Sequence, residues 1–249
     1  MDSIDFEFYI RKNDNLNEIL GKWLSLLKYM NPKTFCFSHP HKGEDLQFKE
    51  AMISKFLKED LTNYEKYLLE IKADKLEFIH IELAPYLKEV AKVSCRFNKK
   101  NYEKHRKGIF EIIDKAISCD EMMLGYGHPV IYNKYFERGY GHIQFGAYWM
   151  MWFGKWALKY IDEERFNNIK EITFNNKLTN NHLEVTLSEN PWEYNNEIIK
   201  KQQRNFMKKL KLSDIIQNYN KKHEFTYIEF EEEDDSLLEE DDSPCPYED

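Results

Sequence analysis

The sequence predicts an α+β protein made of two successive strand–helix–strand halves, ferredoxin-like, with helices packed on antiparallel sheet and an acidic C-terminal tail. Three observations carry this. Segments with every second residue apolar alternate with segments whose apolar residues recur at helical spacing. The pattern restarts near residue 90, and a block of like charge begins just after residue 228. The expected organisation is therefore one domain over 1–228, built from halves of about 1–90 and 91–228, and a tail over 229–249.

In the first half, Asp5 to Ile10 alternates and places Phe6 and Phe8 on one face of a strand. Asn15 is the expected cap of a helix carrying Leu16, Ile19, Leu20, Trp23, Leu26, Leu27 and Met30, which Asn31-Pro32 stops. Thr34 to Phe37 reads as a second strand. Asp45 to Leu57 reads as a helix with Leu46, Ala51, Met52 and Phe56 inward, and Leu61 to Ile71 continues helix-like. Leu76 to Ile81 is again strand-like.

In the second half, Lys92 to Phe97 is a strand with Val93, Cys95 and Phe97 on one face. Tyr102 to Ile117 is a helix carrying Ile109, Phe110, Ile112, Ile113 and Ala116. Glu121 to Tyr126 leads into a glycine-rich connection, and Ala147 to Phe153 is a buried strand or strand-to-helix junction. Ile172-Thr173-Phe174 and His182 to Leu187 suggest a hairpin turning at Asn175-Asn176. Glu197 to Leu212 is a last helix, rich in basic residues. The strand order is open at this level.

The 249 residues are long enough to bury a substantial core, and 15% are aromatic. No apolar run approaches the roughly 20 residues of a membrane helix, since Phe145 to Ile161 is broken by Gly146, Gly154, Lys155 and Lys159. The acidic start, Met-Asp-Ser-Ile-Asp-Phe-Glu, is unlike a secretory leader. The four cysteines, Cys36, Cys95, Cys119 and Cys245, lie far apart and read as free thiols, so a cytoplasmic location is expected. The net charge of -8 divides unevenly: Glu229 onward holds twelve acidic residues and no basic one, while the rest holds 36 basic against 32 acidic. A mildly basic body carries a strongly acidic tail.

Few motifs support catalysis. Cys36, His39 and His41 cluster near a strand end, followed by Glu44 and Asp45, and a His-x-His pair can converge on a metal ion. No second ligand spacing accompanies it, and Pro40 and Gly43 suit an ordinary turn. A metal-dependent hydrolase centred on His39 and His41 is the enzymatic alternative. Gly-Tyr-Gly-His occurs at Gly125–His128 and Gly139–His142, but no Lys-Ser/Thr follows either copy, so phosphate-loop chemistry fails. Both copies read as tight turns, with Tyr126 and Tyr140 as contact residues. There is no Gly-x-Ser-x-Gly elbow. The aromatic run Tyr148 to Phe153, with Trp156, reads as core. Lys200, Lys201, Arg204, Lys208, Lys209 and Lys211 make the last helix basic, and the acidic tail is its simplest electrostatic counterpart. No cofactor, metal, membrane or direct nucleic-acid partner is expected; the oligomeric state is open.

Several segments, in order, resemble the type VI immunity family, bacterial proteins encoded beside secreted effectors of the VRR-NUC nuclease kind. The unit Val93–Ile117 leads to Met123-Leu-Gly-Tyr-Gly-His-Pro, similar to a hydrophobic-Gly-Tyr-x-Gly step. Trp149-Met-Met-Trp-Phe-Gly resembles a Trp-hydrophobic-Thr-hydrophobic-Leu/Phe-Gly segment, and Asn190-Pro-Trp-Glu-Tyr-Asn resembles a Pro-x-x-Gly-Asp step before a final helix. Glu193 and Tyr194 stand where that family has smaller residues, and the tail is not part of its pattern. The resemblance implies an antitoxin, with no catalytic residues, that occludes a cognate toxin. An acidic tail suits the basic, phosphate-holding site of a nuclease. The expected toxin contacts are thus Glu231, Glu232, Glu233, Asp234, Asp235, Glu239, Glu240, Asp241 and Asp242, with Tyr126 and Tyr140. A regulatory adaptor without a toxin partner is the remaining alternative.

Overall fold

A computed structural model describes residues 2–38, 46–61, 67–74, 76–83, 90–129, 146–159, 161, 163–170, 172, 174–178, 180–193 and 197–211. Its strands are β1 (Ser3–Arg11), β2 (Thr34–Ser38), β3 (Leu46–Gln47), β4 (Tyr67–Asp74), β5 (Glu77–Leu83), β6 (Val90–Asn98), β7 (Met122–Pro129), β8 (Met150–Phe153), β9 (Phe174–Lys177) and β10 (Leu183–Thr186). Its helices are α1 (Leu16–Leu24), α2 (Glu50–Phe56), α3 (Lys99–Ile117), α4 (Lys155–Leu158), α5 (Glu163–Asn167) and α6 (Glu197–Leu210). The α+β class, with helices on antiparallel sheet, is as the sequence predicts.

The strands form one ten-stranded sheet in the order β3-β2-β4-β5-β6-β1-β7-β8-β10-β9. Every described pairing is antiparallel. β1 sits between β6 and β7, so the N-terminal strand stitches the segments on either side of residue 90 into one continuous sheet.

Burial follows directly from which faces are covered. β5 and β6 alternate between buried and half-buried residues, the signature of a sheet with one face on a core. β7 and β8 are buried at every residue, because side chains from helices and from neighbouring strands cover both of their faces. On the first face, Phe6 and Phe8 of β1 join Ile79, Ile81, Val93 and Cys95 beneath α1 and α3. Phe8 lies 4.3 Å from the Trp23 ring of α1 and 5.1 Å from Trp152 of β8, and Phe6 makes an edge contact with Phe110 of α3 at 5.9 Å. On the second face, Met151 and Phe153 of β8 pack with Phe166 of α5 and with Phe206 and Leu210 of α6. The aromatic run through Phe153 is thus core on both faces, as read from sequence.

Several local expectations change. The segment read as helix-like to Ile71 holds β4, where Leu69, Ile71 and Ala73 point inward at a period of two. Tyr67-Leu68-Leu69, three apolar residues in succession, masks that alternation in the sequence. The helix expected from Asp45 begins only at Glu50; Leu46 is instead a 47% exposed edge-strand residue, and Ala51 is exposed. Asn15 precedes α1 without a side-chain cap; the nearby bond runs from its own backbone N–H to Asn13 Oδ1 at 3.0 Å. The α1 helix gives way to a 3-10 turn over Ser25–Tyr29. Asn175 and Asn176 lie within β9, paired with Val185 and Glu184, and the hairpin turns through Leu178 to His182. Asn181 there has a φ of 58°, which asparagine tolerates better than most residues.

Candidate interaction surface

Gly125–His128, read as a turn, is instead the body of β7. Antiparallel register places Gly125 opposite Phe8 and Gly127 opposite Phe6. A Cβ built on Gly125 would lie 2.2 Å from Phe8 Cδ1, and one on Gly127 would lie 2.9 Å from Phe6 Cε1. Both glycines therefore leave room for the neighbouring strand's rings to lie across β7. The Gly-x-Gly spacing reflects packing. It is not an anion cradle.

Tyr126 between them faces the other way and is only 2% exposed. Its ring stacks on Tyr148 at 3.9 Å and 8° between planes, and its hydroxyl donates to Glu7 Oε1. Burial first, then the nearby tyrosines and Glu7, push its phenol well above the ordinary range. Tyr126 thus anchors the sheet from within; as an exposed contact residue it is corrected. Tyr140, His39, His41, Glu44, Asp45, Cys245 and the nine tail carboxylates from Glu231 to Asp242 lie outside the described residues. Cys36 and Cys95 are buried and Cys119 is half-buried, all as free thiols. Among the described residues no group of three or more His, Cys, Asp or Glu side chains could hold a metal ion. Among the described residues no helix is long and apolar enough to cross a membrane.

The second face of β4, β5, β6 and β1 is polar and half-buried. Register aligns Asp5, Arg96, Phe78 and Lys72 in one row across the four strands, and Glu7, Ser94, His80 and Glu70 in the next. Arg96 donates from Nε and Nη2 to the two Asp5 oxygens at 2.6 and 2.8 Å, a bidentate pair, and its guanidinium lies 4.9 Å from the Phe78 ring centroid. The His80 ring stacks on Phe78 at 4.2 Å and lies 2.5 Å from Glu70 Oε1. Lys72 bridges to the other Glu70 oxygen at 2.7 Å. Glu7 accepts from Tyr9 at 2.7 Å and Ser94 at 3.4 Å besides Tyr126, and pairs with Lys92 at 3.1 Å.

Burial lowers His80 below its ordinary 6.5, with Glu70 opposing. For Glu70 burial acts upward, but hydrogen bonds and charge from Lys72 and His80 outweigh it and hold the carboxyl low. Burial raises Glu82, with Lys92 opposing. Half-exposed pairs of this kind contribute only about 0–1 kcal/mol each. Their main consequence is a fixed pattern of charges and donors around an aromatic patch, the kind of surface that selects a partner. This face was not singled out from the sequence. The alternation of β5 and β6 carried a signal for it, because each outward position there is polar or aromatic.

The other charged surface is α6. Gln203, Phe206 and Leu210 are buried against the second face, and Gln203 donates to the Ala147 carbonyl at 2.6 Å. Lys201, Arg204 and Lys208, at steps of three and four, form an exposed stripe, and Lys211, also exposed, lies just past the helix end with a φ of 53°.

Together the sheet, its two-sided cover at β7 and β8, and these charged surfaces define an α+β protein built on one antiparallel sheet. No protein-family model matches the sequence, and no curated protein matches it. Among solved structures, the chain is similar in fold to the Pseudomonas aeruginosa T6SS protein PA0821, with a TM-score of 0.62 at 8% identity over 85% of this chain and 76% of that one. A second match is the toxic C-terminal tip of CdiA from Pseudomonas aeruginosa in complex with immune protein. It covers 51% of this chain and 86% of that one at 15% identity, but its TM-score of 0.32 does not establish a common fold.

Proposed function

We propose that this chain is an immunity protein: it binds a cognate bacterial toxin, of the nuclease class, and occludes its active site in the cytoplasm without itself being an enzyme. The observation that carries the reading is the fold, shared over 85% of the chain with the T6SS protein PA0821. The ordered motif resemblance supports it, and so does a sheet face whose paired charges surround Phe78 and His80. An occluding protein needs a rigid scaffold, a complementary charge pattern and a few well-packed anchors. The acidic tail fits this role as a mimic of the phosphates that a nuclease site holds.

Co-expression with the product of the adjacent gene tests the proposal. Rescue of growth and recovery of a stable complex are expected. Persistent toxicity with no complex would refute it. The adaptor alternative instead predicts a complex with a partner that is harmless when expressed alone.

A further inference from the structure

We infer that the acidic tail docks in cis on the exposed basic stripe of α6. Lys201, Arg204 and Lys208 lie on the side of the helix away from buried Gln203, Phe206 and Leu210, and exposed Lys211 follows just past its end. Among the described residues none of these four cations has an ion-pair partner. Ile198, 65% exposed, extends the stripe at its N-terminal end. Such a row of like charge raises its own local potential and favours a neutralising occupant.

The chain carries its counterpart. Beyond Glu229 the tail holds twelve carboxylates and no base, with Phe230 and Leu237-Leu238 as apolar breaks that suit an exposed isoleucine. Seventeen residues lie between Lys211 and Glu229, and the eighteen steps from one to the other reach about 60 Å when extended. The 14-residue α6 is only about 21 Å long. The tail can therefore fold back along the whole stripe, and the linker keeps its effective concentration in roughly the millimolar range. Nucleic acid would also neutralise the stripe, but a tethered polyanion competes against it continuously. The cis contact is the resting arrangement of the free protein, from which a toxin's basic site would take the tail in exchange; it does not depend on what the partner is, so its failure leaves the immunity reading standing.

Zero-length carbodiimide cross-linking of the full chain, followed by peptide mapping, tests this. At low salt, tail carboxylates are expected to link to Lys201, Lys208 and Lys211 within one molecule, at a yield independent of protein concentration. The links should disappear near 1 M salt, where charges are screened beyond about 3 Å. They should also disappear in the full-length Lys201→Glu, Arg204→Glu, Lys208→Glu, Lys211→Glu variant. Links spread over lysines elsewhere, or yields that rise with concentration as for a second copy, would overturn the proposal. So would tight binding of a labelled oligouridine to the unmodified full chain at low salt.

Discussion

At the scale of single residues, the sheet depends on side chains that are absent. Gly125 and Gly127 let the Phe8 and Phe6 rings cross β7, so Gly125→Ala forces a methyl against Phe8 Cδ1 and Cε1, at 2.2 and 2.4 Å. Overpacking of this kind costs about 1–3 kcal/mol, to be read from chemical denaturation midpoints. Gly21, inside α1, is the counter-case. Its added Cβ would meet only Leu57 Cδ1 at 3.4 Å, so Gly21→Ala is expected to gain about 0.5–1 kcal/mol from helix propensity. Nothing in the local sequence distinguishes these two roles. Glycine reads as a turn former until the register brings a phenylalanine opposite it, and for that reason Tyr126 looked like a surface tyrosine and proved to be an internal anchor.

At the scale of elements, legibility followed how many faces are covered. β5, β6 and α3 were readable because each buries one face, and their periods of two and 3.6 survive in the sequence. β7 and β8 bury both, so no period marks them. α3 also begins with a cap that the sequence reading did not identify: Asn98 Oδ1 accepts from the Asn101 backbone N–H at 2.9 Å. Asn101 in turn donates from Nδ2 to the Tyr29 carbonyl at 2.6 Å and to buried Glu77 at 2.8 Å, tying the helix to the preceding hairpin. Asn98→Ala should cost about 1 kcal/mol, and Asn98→Ser should restore most of it. Equal stability of Asn98→Ala and the unmodified protein would show that the cap does not matter.

At the scale of the whole molecule, strand order is what sequence could not supply, since the antiparallel neighbours of β1 lie some 80 to 125 residues downstream. The sheet that results buries histidines and so creates a pH dependence, although the His80–Glu70 contact itself comes from the local pairing of β4 with β5. Burial lowers both His80 and His182, so below their ordinary 6.5 the unfolded chain binds more protons than the folded one. Stability should therefore fall as pH drops below about 6.5 and through the folded values. Burial raises Glu82 and Glu184, which acts in the opposite direction just above their ordinary 4.5. His80→Gln isolates the histidine: its melting temperature should fall less between about pH 7 and 5.5 than that of the unmodified protein. The tail is a separate whole-molecule question. Deleting 229–249 should weaken toxin binding at low salt and matter little at high salt, whereas salt-independent affinity would leave the tail only a solubilising role. The most direct measurement of occlusion is a titration of the purified cognate toxin, as identified by co-expression, with this protein while toxin activity is followed. Loss of activity should track the amount added and end at equimolar protein, with active toxin recovered on dissociating the complex. Inactivation by substoichiometric protein, or toxin left permanently altered after separation, would contradict occlusion and reveal an enzyme.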